Sequence, residues 1–197
     1  MPQRKLKPKH PKIIAQNTVV TGINQLWEAD LKYGWIQGEN RFFFLLTFLD
    51  VFDRRAVGYH LGLTCKGIEA ANTLRVCVQK ERIIDPGCKP KIRTDNGTQV
   101  VCIKFEGACI ELNLEHERIP VRTPNLNAHI ESFHSILEAE CFGRHEFISF
   151  AHAYRVVSQF IDFYNNVRIH SGINFLSPSE YSEAIKSNSI KGKAVHV

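Results

Sequence analysis

Three acidic residues stand where their type and spacing suggest chemistry. Asp95 lies in "TDNGTQ" at the end of a segment, 89–95, that reads as a short buried strand. Asp30 lies in "WEADLKY", where Trp27, Ala29, Leu31 and Tyr33 alternate with Glu28, Asp30 and Lys32, the period of a strand. Glu131 belongs to a helical pattern over 127–142 and shares a flank with Ser135 and Glu138. Each has a plainer explanation, since Asp-Asn-Gly is ordinary turn material and a helical Glu is usually solvated. Taken together they form an all-oxygen donor set: two aspartates on strands and a glutamate on a helix entered through a Pro-containing loop, 121–127. A carboxylate within a core sheet is costly unless a cation accompanies it. Hard oxygen ligands suit Mg²⁺ or Mn²⁺, as one or two ions that activate water or a 3′-hydroxyl and stabilise the oxygen leaving a phosphodiester. No serine nucleophile elbow and no phosphate-cradling glycine loop competes. His129, His134 and His170 are open to two roles, a phosphate contact or a hydrogen-bonded structural part.

The elements that must position these groups follow from periodicity. Residues 25–33, 41–52 and 55–63 read as strands, with turns at Gly38-Glu39-Asn40 and Asp53-Arg54; the middle one is apolar almost throughout, as in a strand buried on both faces. They form an antiparallel meander. From residue 67 to 82 the spacing turns helical through Ile68, Ala71, Leu74 and Val78, and Pro86-Gly87 ends it. Strand 89–95, helical turns over 98–112 and strand 114–119 follow, an order that requires parallel pairing by crossover. The expected fold class is therefore α/β with a mixed five-stranded sheet, three strands antiparallel and two parallel, and helices on both faces. Further helices are predicted after Ser149, a plausible N-cap, and from Ser177-Pro178. Residues 187–197 read as a flexible tail.

Composition narrows the class. At 197 residues, 44% of them hydrophobic, one well-filled core is expected. Arg4, Lys5, Lys7, Lys9 and Lys12 carry five positive charges in a segment without an acid; taking them from the 25 Lys and Arg leaves 20, equal to the 20 Asp and Glu. The body is neutral and the arm basic, which suits either a nucleic-acid contact or a solvated linker. The six cysteines show no C-x₂-C pair, so neither a zinc site nor a disulfide scaffold is expected. With neither a signal peptide nor a membrane-length apolar run, a reducing compartment is the expected location and no membrane partner is expected.

The motifs also resemble a known family. "WEADLKY", "TDNGTQ" and "TPNLNAHIESFHS", with the 35 residues 96–130 between Asp95 and Glu131, resemble the D,D-35-E catalytic core of retroviral-type integrases and the related bacterial insertion-sequence transposases. "FYNNVRIHSGINFLSPSEY" is similar to the downstream block of bacterial members. The resemblance implies a ribonuclease H-like fold, Mg²⁺ (or Mn²⁺) held by Asp30, Asp95 and Glu131, and transfer of a DNA 3′-hydroxyl onto target DNA. Asn96 and Asn127 match positions flanking the second and third acids and are implied DNA contacts, beside the arm. Partners implied are the mobile-element ends, a target duplex and a second copy of the chain, in a bacterial cytoplasm at the nucleoid. Two departures stand out: relatives commonly carry lysines where Ser135 and Glu138 stand, and no zinc module or helix-turn-helix precedes the core. The expected division is a basic arm or linker over 1–24, the core over 25–186 and the tail. A nuclease that only hydrolyses, and a non-catalytic DNA-binding or assembly module, are the alternatives.

Overall fold

The computed structural model describes residues 13–83, 89–120 and 123–197. The long strands are where alternation and apolar runs predict them. β3 (Leu26–Ile36), β4 (Arg41–Asp50) and β5 (Ala56–Gly62) form the antiparallel meander, and β6 (Lys91–Thr94) and β7 (His116–Arg118) extend it in parallel. Gly34 opposes Phe43 across the meander, and a Cβ there would meet the Phe43 ring at 2.0 Å, so the aromatic side chain lies over a position that only glycine can fill.

Helix α1 (Gly67–Lys80) and α2 (Ile103–Glu111) cover one face, burying Leu74, Cys77, Phe105 and Cys109 against Trp27, Ala29, Leu46 and Phe48. Helices α3 (Ala128–Glu140) and α4 (Phe150–Asn166) cover the other, where Ile130, Phe133, Leu137 and Val157 meet Phe43, Leu45 and Leu49. Successive residues of β4 thus serve opposite cores, which explains its unbroken apolar run. Ser149 caps α4 by accepting from the His152 N–H, and Ser177 with Glu180 forms a capping box on α5 (Pro178–Lys186). This is the mixed α/β, ribonuclease H-like arrangement expected.

Two expectations need correction. The sheet has six strands, because β1 (Ile13–Ile14) adds parallel to β7, giving the order β1-β7-β6-β3-β4-β5. Part of the segment read as an arm is therefore built into the sheet. Residues read as a flexible tail are also paired: β8 (Val195–His196) lies antiparallel to β2 (Val19–Val20), and Val195 and Ile190 pack on a small third core with Val20, Phe52 and Tyr181. Apolar burial and backbone pairing hold both ends, against a composition that looked polar and loose.

The block "FYNNVRIHSGINFLSPSEY" acts as a set of tethers. Asn165 donates to the Ala56 carbonyl and accepts from the Ala56 N–H, both at 2.9 Å, Tyr164 Oη donates to the Arg54 carbonyl at 3.1 Å, and Arg168 grips Glu140 at 2.7 Å. α4 is thereby fastened to the β4–β5 turn and to the end of α3. Arg54 adopts φ 66°, a left-handed conformation that non-glycine residues rarely occupy, which this anchoring maintains.

Candidate active site

β3 and β6 run parallel with Ala29 opposite Thr94. One residue further along each chain, Asp30 and Asp95 take neighbouring places on the same side of the sheet, about 5 Å apart along the backbone by ordinary strand spacing. That side is the one covered by α3, whose first turn carries Glu131. The two strands and the helix that carry the three acids are thus brought to one side of the sheet.

Burial and like charge both act on Asp30. The Asp30 carboxyl is pushed up from 3.8 to about 6, first by burial and then by the negative charges of Asp95 and Glu131, against the opposing Leu31 N–H bond and Lys32. Asp30 Oδ1 accepts from the Leu31 N–H and Asp95 Oδ1 from the Gly97 N–H, each at 2.8 Å. Each aspartate is thus anchored through one oxygen and presents the other. His134 Nδ1 lies 3.6 Å from Asp30 Oδ2, too far for a hydrogen bond, and burial lowers its pKa to about 4. It is a neutral neighbour of Asp30, not an ion-pair partner.

The donor set fits a hard divalent cation in kind: three carboxylates on one side of the sheet, beside the carboxyl end of β6. The set is not closed, for among the described residues no three His, Cys, Asp or Glu side chains converge to metal-binding distance. Glu138, on the same flank of α3 as Glu131, is drawn to Lys32 at 2.9 Å.

Other residues expected at the site have mixed places. Asn96 Nδ2 donates to the Ile119 carbonyl at 2.9 Å, tying the Asp95 turn to the end of β7. Asn127 is buried at the entrance to α3, with Oδ1 unpartnered. Both sit at joints of the site, Asn96 exposed and Asn127 enclosed. Arg4, Lys5, Lys7, Lys9 and Lys12 lie outside the described residues. His170 packs edge-on against Tyr164, 4.9 Å between centroids, a structural position. The sequence reading overlooked Glu28 and Arg93, two residues before Asp30 and Asp95 respectively, both fully buried on the same face as the acids. Strand alternation could have placed them there.

Comparison with known proteins agrees with the fold. Residues 21–124 match the integrase core domain family, and residues 112–178 match a second family of the same description. The chain belongs to the integrase core domain family. It is 28% identical over 159 residues to the insertion element IS407 uncharacterized 31.7 kDa protein of Burkholderia multivorans, covering 81% of this chain and 55% of the relative. It is 24% identical over 178 residues to the transposase InsF for insertion sequence IS3A of Escherichia coli, covering 88% and 59%. This integrase-family chain therefore spans little more than half the length of these relatives. In three dimensions it resembles the HTLV-2 integrase catalytic core domain in complex with magnesium, with TM-score 0.59 and 13% identity, covering 81% of this chain and 96% of that one. At that identity the likeness establishes the fold. Among the described residues no helix is long and apolar enough to cross a membrane.

Proposed function

We propose that this chain is the catalytic core of an insertion-sequence transposase that joins a DNA 3′-hydroxyl to a target duplex, with Asp30, Asp95 and Glu131 holding Mg²⁺ or Mn²⁺. The observation that carries the proposal is the β3–β6 register, which sets Asp30 beside Asp95 beneath the helix that bears Glu131. When bound, the ions supply charge stabilisation and an activated hydroxyl or water. The chain's own residues prepare the site. The Leu31 and Gly97 N–H groups fix the two aspartates, buried neutral His134 shields one side of Asp30, and exposed Asp95 and Glu131 face the side from which a DNA end would enter. The basic arm supplies phosphate contacts, and assembly with a second copy on mobile-element ends in the bacterial nucleoid completes the proposal.

The test is a joining assay with the full-length parent, Mg²⁺ and a pre-nicked element end. Wild type transfers the end to a second duplex, whereas Asp95→Asn, folded by circular dichroism, does not. Wild-type joining by Asp95→Asn would remove the assignment of the site. End cleavage without joining would favour the purely hydrolytic enzyme.

A further inference from the structure

A row of charge crosses the sheet beneath the site. Glu28, Arg93 and Glu117 are register partners on β3, β6 and β7, and their side chains are buried. Burial of such groups is unfavourable unless each is satisfied. Arg93 Nε and Nη2 donate to Glu117 at 3.1 and 3.0 Å, and Nη2 also donates to the Gln16 carbonyl at 2.8 Å. Its Nη1 reaches the Leu126 carbonyl at 3.4 Å. Glu28 Oε2 accepts from the backbone N–H of Ile130 at 2.8 Å and of His129 at 3.1 Å. The row therefore grips residues 126–130, immediately before Glu131.

The contrast with the neighbouring helices is informative. α4 and α5 are capped locally, by Ser149 and Ser177. The N-cap of α3, Asn127, makes no side-chain capping bond. The free N–H groups of its first turn are satisfied instead by a carboxylate from the sheet about 100 residues away, and the positive end of the helix dipole favours that charge. A cap needed only for helix stability is available from a local Ser, Thr, Asp or Asn. A cap taken from β3 also fixes where the helix stands relative to β3.

We infer that Glu28, backed by Arg93, is the positioning residue for Glu131: it holds the first turn of α3 against the two strands that present Asp30 and Asp95. The inference rests on the proposed reading of those three acids as the metal ligands. Glu28 touches neither metal nor DNA and acts through the helix backbone. Arg93 acts one step further back, through the Leu126 carbonyl and its place beside Glu28.

The test uses the full chain, with Mn²⁺ as probe in titration calorimetry without DNA, urea unfolding as the control for folding, and amide hydrogen exchange. Glu28→Leu keeps the volume and removes the acceptor. Mn²⁺ affinity is expected to fall about 10–100-fold, the usual effect of removing an outer-shell partner, with cooperative unfolding retained. Glu28→Gln keeps one acceptor oxygen and is expected to restore affinity to within about threefold of wild type, since neutral hydrogen bonds are weaker than charge-assisted ones but share their geometry. In the wild-type chain the His129 and Ile130 amides, which have no intrahelical acceptor, should exchange slowly. A folded Glu28→Leu that binds Mn²⁺ like wild type overturns the positioning role. So does fast exchange of those two wild-type amides, a readout that stands even if Glu28→Leu fails to fold. Wild type lacking any Mn²⁺ affinity sensitive to Asp95→Asn would sink the proposed function itself, a separate and recognisable failure.

Discussion

Replacing Asp30 by asparagine should make the metal-free protein more stable. The Asp30 carboxyl titrates near 6 instead of 3.8, chiefly because of burial and then because Asp95 and Glu131 stand close. An acid whose folded pKa is raised holds its proton more tightly folded than unfolded. Stability therefore falls as pH climbs from about 4 to about 6 and stays lower above that. The interval between 3.8 and about 6 corresponds to about 3 kcal/mol, a ceiling because the side chain is 23% exposed and water relaxes around it. The substituted amide retains an oxygen for the Leu31 N–H, so the one anchoring bond survives. In EDTA at pH 7.5, Asp30→Asn should gain about 1–3 kcal/mol, or up to about 10 °C in Tm for a chain of this length. At pH 4 the gain should nearly vanish, because wild-type Asp30 is then protonated. Raised carboxyls elsewhere, Glu28 and Asp50 among them, are common to both proteins and cancel in the difference. Urea unfolding followed by tryptophan fluorescence at the two pH values measures it, and adding Mn²⁺ should stabilise wild type alone. Equal or lower stability of Asp30→Asn at pH 7.5, or the same gain at pH 4, would refute the reasoning.

Asn165→Ala removes two backbone hydrogen bonds to Ala56 and should destabilise by about 1–3 kcal/mol, seen as a lower urea midpoint, while Mn²⁺ affinity by calorimetry is unchanged. Wild-type stability would show that the tether of α4 to the β4–β5 turn is not needed. Removing residues 1–12 should weaken non-specific DNA binding and flatten the plot of log affinity against log salt by up to about 0.9 for each phosphate no longer neutralised. An unchanged slope would leave the arm as a linker.

Much of this was legible in the order of residues, for particular reasons. The β3 alternation and the apolar run of β4 are long enough for their periods to be unambiguous, and Ser149 and Ser177 are capping residues followed by apolar helical spacing. Asp30, Asp95 and Glu131 stood out through motif and interval, and the β3–β6 register puts the two aspartates on one side of the sheet. β1, β2 and β8 were not legible, because a strand of two residues has no period to detect. Nor were Glu28 and Arg93. Alternation reveals which residues share a side of β3 and β6 without revealing which backbone groups of a distant helix they meet. The block around Tyr164 and Asn165 was visible as a pattern, but its work as tethers depends on hydrogen bonds to residues 109 and 110 positions away.

The β3–β6 pairing also governs which accidents of inheritance the chain can survive. One residue inserted between Ile92 and Asp95 would turn Asp95 through the sheet to the α1–α2 side, because neighbouring strand residues face opposite ways. An insertion ahead of Leu126 would lengthen a connection while leaving the Glu28 clasp on α3 intact. Natural versions of this core should therefore keep the strands that carry the first two acids at constant length.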